Sequence, residues 1–476
     1  MPETIRYIYH FHPVGQGLFA SGILLPWRDG QMPFHWVFDC GSMANDRDCI
    51  PQVRPYRDLV LRDDVLNLLC ISHFDKDHVS GLAELLAGRH VDTVVIPYYT
   101  PIERLVIGSV QESRRRGGGD DGEYHDFLSN PAAFIIERAA SVRQILFVYR
   151  THPEDPAWPY GDGMDPDSPL WGLEDRPFNR DRQHDKHDVE NKSWGVKVWE
   201  PRIPGESPRF AHGLKDSLST WPGIVGFVGE NCNLRAVDLL GKNYLVEWEF
   251  LFFHKPEHPD RITRLIGRID SILHAEAAEF GFLPTLANAL GNKRIRDKIK
   301  GVYKAVFPDS KRFNSSGLCM YSGPLADYLQ WSHISCAQVW HGLPPLGSSS
   351  HDKFGFYEHV HVWRPGILYS GDADYQPSAH RIELRKFLTE DRWRNIHILQ
   401  VPHHGSRYNW EVGSSNEFAH SWSVFCADPE KKDHHPHQEV VLDLLTKNPI
   451  LVDRIAGACW NGLCHFDDIS RQSDGK

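Results

Sequence analysis

The segment Ser72-His73-Phe74-Asp75-Lys76-Asp77-His78 sets four side chains able to ligate a divalent metal within six residues. Imidazole and carboxylate both bind such cations at neutral pH. The cluster follows directly on the apolar run 65–71, which reads as a strand. An extended chain there turns His73, Asp75 and Asp77 to one side, and His78 joins at the turn. The plainer alternative is a solvated charged turn ahead of a helix. Three more strand ends carry the same chemistry. The run 35–38 ends in Asp39-Cys40-Gly41-Ser42, 366–371 delivers Asp372, and 396–401 delivers Pro402-His403-His404-Gly405-Ser406. His435-Pro436-His437 stands before an expected helix over 439–445. Ligands gathered at strand ends from distant parts of a chain are how an α/β fold builds a metal site.

The elements that must position these residues are legible at both ends of the chain. Strands are expected at 5–11, 18–25, 35–38, 65–71 and 91–97, with a helix over 80–87. Glycine and proline breaks separate them. The rhythm resumes at 366–374 and 396–401. Between lies a different texture. Residues 117–122 read as a flexible loop, and 153–193, dense in Pro, Gly, Asp and His, as a long irregular excursion. Helical spacing appears at 131–142 and in apolar positions between 260 and 307. The expected organisation is a first part of the core at 1–100, a partly helical insertion at 101–312, and a second part at 313–476.

A chain of 476 residues can bury a large interior or divide in two. No apolar run is long enough to span a bilayer, and the start, Met1-Pro2-Glu3-Thr4, lacks the basic cluster of a signal peptide. Nine scattered cysteines suit reduced thiols and a cytoplasmic location. The net charge of −11 argues against bulk electrostatic attraction to nucleic acid, although a local groove can still be basic. The basic runs are Arg114-Arg115-Arg116 and 293–300. Each reads first as an exposed helix face or loop, ahead of a binding surface.

Taken in order, these motifs resemble the metallo-β-lactamase fold hydrolases, and among them the soluble hydrolase domain of ComEC-like competence proteins. Val14-Gly15-Gln16-Gly17 looks like the opening turn of that family, and Phe38-Asp39-Cys40-Gly41 like its first acidic motif. His73-Phe74-Asp75-Lys76-Asp77-His78 matches an HxDxDH form of the main motif. Asn314-Ser315-Ser316-Gly317-Leu318 looks like a degraded strand motif. Ser370-Gly371-Asp372-Ala373, His403-His404-Gly405-Ser406 and His435-Pro436-His437 match the later segments. The likeness covers residues 5–100 and 313–466.

The resemblance implies an α/β fold, a four-layer αββα metallo-β-lactamase sandwich, with one or two divalent metal ions, Zn²⁺ or Mn²⁺. By motif, His73 and Asp75 would hold one ion and Asp77, His78 and His404 the other. Asp372 would bridge them, with Asp39 orienting the cluster from behind. Asp75, standing where many relatives place histidine, makes the set acid-rich and brings Mn²⁺ into competition with Zn²⁺. His333, His341, His351 and Asn314 are candidates for a missing ligand of the first ion. Asp77, His403, His435 and His437 are the expected catalytic contacts, one of the last pair binding phosphate or protonating a leaving group.

The activity implied is phosphodiester hydrolysis, with DNA or RNA as substrate. The chain would be a cytoplasmic enzyme or an effector subunit of a multiprotein system such as antiviral defence, and 101–312 a lid or protein-docking surface. A small-ester hydrolase and a non-catalytic metal-bound scaffold are the alternatives.

Overall fold

The computed structural model describes residues 3–26, 33–111, 122–149, 194–199, 225–229, 233–238, 245–254, 259–280, 286–307, 317–324, 329–341, 360–361, 365–431 and 435–466. The strands in chain order begin with β1 (Glu3–Phe11), β2 (Gly17–Pro26), β3 (Phe34–Ser42), β4 (Leu66–Cys70), β5 (His90–Pro97) and β6 (Ser141–Tyr149). Next come β7 (Trp194–Trp199), β8 (Val225–Gly229), β9 (Asn233–Asp238), β10 (Leu245–His254), β11 (Leu318–Pro324) and β12 (Leu329–His341). The series closes with β13 (Val360–His361), β14 (Gly366–Tyr369), β15 (Ile396–Gln400), β16 (Trp422–Cys426), β17 (Pro449–Val452) and β18 (Ala456–Phe466).

They form two mixed sheets, ordered β13-β12-β18-β1-β2-β3-β4-β5-β6-β8 and β17-β16-β15-β14-β11-β10-β9-β7. Each sheet contains a parallel block: β3 through β6 with β8 in the first, and β14 through β17 in the second. Parallel strands buried on both faces read as continuous apolar runs, and Leu66-Asn67-Leu68-Leu69-Cys70 of β4 is buried throughout.

The apolar side chains sort by face. Tyr7, Tyr9 and Phe11 of β1, Trp36 and Phe38 of β3, Trp248 and Phe250 of β10 and Trp460 of β18 share one cluster between the sheets. Leu69 and Ile71 face the other way, into a second cluster with Leu82 and Leu85 and with Leu265, Ile269 and Ile299 of the helices Pro259–Phe280 and Lys293–Val306. A third cluster joins Leu368 and Leu399 to Leu384, Leu388 and Val440 of the helices Ser378–Asn395 and Gln438–Asp443. Helices therefore cover the outer face of each sheet.

Residues 101–312, expected to hang on the core as an insertion, also supply strands to both sheets. β6 and β8 extend the first sheet beyond β5, and β7, β9 and β10 extend the second beyond β11. The helix expected over 131–142 is shorter, Pro131–Arg138, and β6 starts at Ser141. Asn130 caps that helix by accepting from the Ala133 amide at 3.0 Å, with Pro131 in its first turn. The basic run at 293–300 lies on the helix Lys293–Val306, where Lys298 and Arg294 turn onto the buried Glu276. Residues 114–116, 117–121, 153–193, 314–316, 351, 433 and 434 lie outside the described residues.

Burial also sets an acid limit on this fold. The His10 imidazole is pushed down to about 4 and that of His420 to about 3, in both cases chiefly by loss of solvent. Both stay neutral when folded, whereas an unfolded chain protonates them near 6.5. The unfolded state therefore binds more protons below pH 6.5, and stability falls as pH drops from there toward 4. The urea midpoint is expected to decline across that window. His10→Asn is expected to remove about one proton from the linkage, a slope change of about 1.4 kcal/mol per pH unit. Equal slopes in both proteins would show that His10 takes no part.

Candidate metal centre

The site lies where the two parallel blocks end, at the carboxyl ends of β3, β4, β14, β15 and β16, a place where α/β sheets commonly bind ligands. Local backbone geometry aims its residues. In the β2–β3 ladder Phe19 pairs with Cys40 and Ala20 with Phe38, so Asp39 is the extra residue of a bulge. Its φ is +56°, a conformation that re-aims the carboxylate out of the strand's alternation. His403 and His404 likewise have φ of +47° and +58°. Sparsely populated backbone conformations at three residues of one site are strain of the kind that surrounding structure must hold in place. Gly41 permits the close approach of the next element: a Cβ there would stand 2.6 Å from the His78 backbone nitrogen.

The expected extended run from His73 to Asp77 ends sooner. After Asp75 the chain enters the short helix Lys76–Val79, so Asp77 and His78 are presented from a helical turn. This replaces the simple alternation expected for Asp77.

Asp39 is fully buried and organises the cluster. One carboxylate oxygen accepts from the Ser72 amide at 2.6 Å, and the other accepts from the Ser72 hydroxyl at 2.6 Å and from His78 Nδ1 at 2.8 Å. With its proton committed to Asp39, the Ser72 oxygen is left to accept from His73 Nδ1 at 2.9 Å. His404 Nδ1 donates to the Cys426 carbonyl at 2.6 Å. Each imidazole thus has Nδ1 tied to the protein and Nε2 available to a ligand, an arrangement typical of metal-binding histidines.

Those Nε2 atoms meet carboxylates. His73 and His78 each stand 3.5 Å from Asp372, and His404 stands 3.2 Å from Asp77. His73, His78 and Asp372 form one group whose ligand atoms lie within 4.8 Å of one another, and Asp77, His78 and His404 form a second. Among the described residues these are the groups able to hold a metal ion. His73 Nε2, His78 Nε2, Asp77 Oδ1 and Asp372 Oδ1 are buried without a hydrogen-bond partner. Buried polar atoms left in that state are costly, and divalent cations in the two groups would satisfy them. The residues therefore fit a metal.

Charge coupling within the group is strong. Burial alone would push Asp77 and Asp372 up, but the neighbouring imidazoles reverse this and hold both carboxyls well below the usual range. Burial would likewise lower His78, yet Asp39 and Asp372 hold it well above 6.5. A cation would take over the charge balance that protons supply here.

Of the residues singled out in the sequence, His73, Asp77, His78, Asp372 and His404 come together as ligand atoms, with Asp39 behind them. The resemblance gives Asp372 the bridging place; in the geometry His78 is common to both groups. Asp75 is buried at the start of the short helix but belongs to neither group. His403 reaches Asp372 at 3.2 Å without entering a ligand group. His435 stacks on His404 with ring centres 6.1 Å apart, and His437 lies 4.9 Å beyond it. His333 and His341 fall in β12, separated from β4 by β18, β1, β2 and β3.

Three positioning residues escaped the sequence reading. Ser72 links Asp39 to His73. Gln400 accepts from the amides of Ser370 and Gly371, each at 2.7 Å, and so fixes the turn before Asp372. Asn409 donates to the carbonyls of Asp372 and Ala373 at 3.1 and 3.2 Å. The available signal was a polar residue ending or following an apolar run, which marks many exposed turns as well.

No protein-family model matches the chain, and no curated protein matches it. Among the described residues, no helix is long and apolar enough to cross a membrane.

Proposed function

We propose that this chain is a metal-dependent hydrolase with a metallo-β-lactamase-like αββα fold, acting on the phosphodiesters of DNA or RNA. The observation that carries the reading is the common orientation of His73, His78 and His404, each held at Nδ1 and turned through Nε2 toward buried Asp372 or Asp77. Two divalent cations, Zn²⁺ or Mn²⁺, would supply an activated water and Lewis acidity toward a phosphoryl oxygen. Asp39 and Ser72 keep the imidazoles in the tautomer that offers Nε2. His403 and His435 pack beside His404, with His437 beside His435, and there an imidazole could contact an anionic oxygen or hand a proton to a departing one. The imidazoles gathered beside His404, suited to an anionic oxygen, support a phosphodiester over a lactam. The free, buried thiols of Cys40, Cys49, Cys70 and Cys426 suit a cytoplasmic setting.

A second reading, hydrolysis of a small ester, draws on the acidic net charge and on the engagement of Arg294 and Lys298 with Glu276. Metal analysis of the purified protein, followed by a cleavage screen across divalent ions, separates the two. Labelled DNA or RNA is expected to be cut with Mn²⁺ or Zn²⁺ and protected by chelator. Cleavage of bis-p-nitrophenyl phosphate with nucleic acids untouched would install the small-ester reading. Bound metal without turnover of any ester would leave a scaffold.

A further inference from the structure

The loop after His404 carries an exposed aromatic ring that the ligand groups do not require. Tyr408 is 59% exposed, whereas Asn409 and Trp410 beside it are buried. Asn409 is tied to the backbone of Asp372 and Ala373, and the Trp410 indole donates to Asp443 at 2.8 Å. The ring is thus held outward by a segment clamped at its very next residues, one clamp being the backbone of a candidate ligand. Arg407 sets its guanidinium 5.1 Å from the ring centre, donating to the Tyr408 hydroxyl at 3.2 Å and to Glu439 at 3.3 Å. Tyr408 lies 6.1 Å from the His437 ring, edge to face. Through His437 and His435 a line of rings runs from this surface to His404.

An outward aromatic face beside a cation, next to a phosphodiester site, has the makeup of a single-strand platform: bases stack on the ring and the strand's charge meets the cation. We infer that Tyr408 stacks a base of a single-stranded nucleic acid whose phosphate lies at the metal centre, with Arg407 contacting the adjoining backbone. The inference rests on the nuclease reading and names its substrate class. Single strands are favoured because a base must leave its helical stack to lie on the ring. Glu439 offsets part of the Arg407 charge, so the ring carries most of the discrimination.

The test, on the metal-loaded protein, is binding of a 5′-labelled phosphorothioate oligothymidine against a phosphorothioate strand of equal length built from tetrahydrofuran abasic spacers, so that cleavage is suppressed in both. Stacking worth about 1–3 kcal/mol per base corresponds to a preference of about 5- to 150-fold for the base-bearing strand. Tyr408→Ala is expected to collapse that ratio toward one, and Tyr408→Trp to preserve it. Thermal melts check that both variants fold. A ratio unmoved by Tyr408→Ala overturns the platform. So does a wild type that binds neither strand. Cleavage of an unmodified strand separates this from the broader reading. A protein that prefers bases through Tyr408 yet cuts no phosphodiester refutes the hydrolase and leaves the platform standing; one that cuts with a preference indifferent to Tyr408 refutes the platform alone.

Discussion

Asp372→Asn is expected to abolish phosphodiester turnover, by about a thousandfold or more, and to lower the metal content of the purified protein. The side chain keeps its shape and loses its charge, so packing is preserved. What disappears is the anion that faces His73 and His78 at 3.5 Å each and stands 3.2 Å from His403. Metal activation of water and of the phosphoryl group contributes several kcal/mol, and about 4 kcal/mol is a thousandfold in rate. Elemental analysis with single-turnover kinetics checks the expectation. A variant with full metal content and at least a tenth of the wild-type rate would remove Asp372 from the centre.

The second large effect is expected at Asp39→Ala, and it should appear first in stability. Its carboxylate receives the Ser72 amide, the Ser72 hydroxyl and His78 Nδ1, all without solvent. Breaking a buried, hydrogen-bonded charge pair by removing one partner costs about 3–5 kcal/mol. The imidazoles also lose what fixes their tautomer, and such supporting contacts are worth about 10- to 100-fold in metal affinity. Urea unfolding of metal-free protein and calorimetric metal titration read the two losses separately. Ser72→Ala should reproduce the affinity loss in smaller degree, since Asp39 would still hold His78. An Asp39→Ala protein with unchanged metal affinity would reduce Asp39 to a structural role.

The sequence was most legible where an apolar run ends in an acid or a histidine. β3, β4, β14 and β15 all show that pattern, and each delivers residues to the centre. The two parallel blocks follow from the same runs, because strands covered on both faces leave little room for polar side chains. The turn at Asp75 was not legible. Whether Asp77 continues an extended alternation or enters a helix depends on Gly41 letting the His78 backbone approach β3, a contact between residues far apart in the chain. The strands Ser141–Tyr149, Val225–Gly229, Asn233–Asp238 and Leu245–His254 were missed for a related reason. Their partners are set by sheet order, and helical spacing at 131–136 runs almost directly into β6. Orienting residues such as Gln400 and Asn409 carry no spacing signal, since their partners are backbone groups of another strand's end.

The two halves of the centre come from different sheets: Asp39 lies in β3 and His73, Asp77 and His78 follow β4 of the first, while Asp372 and His404 follow strands of the second. A cation held by both is a rivet through the seam between them. Its binding energy would then also be cohesion between two layers that meet largely through apolar contact, with a few hydrogen bonds such as that from the Leu318 amide to the Ser72 carbonyl at 2.7 Å. Such a clasp would fix the lateral register of that contact, and a site divided in this way forms only in a chain whose sheets have already found each other.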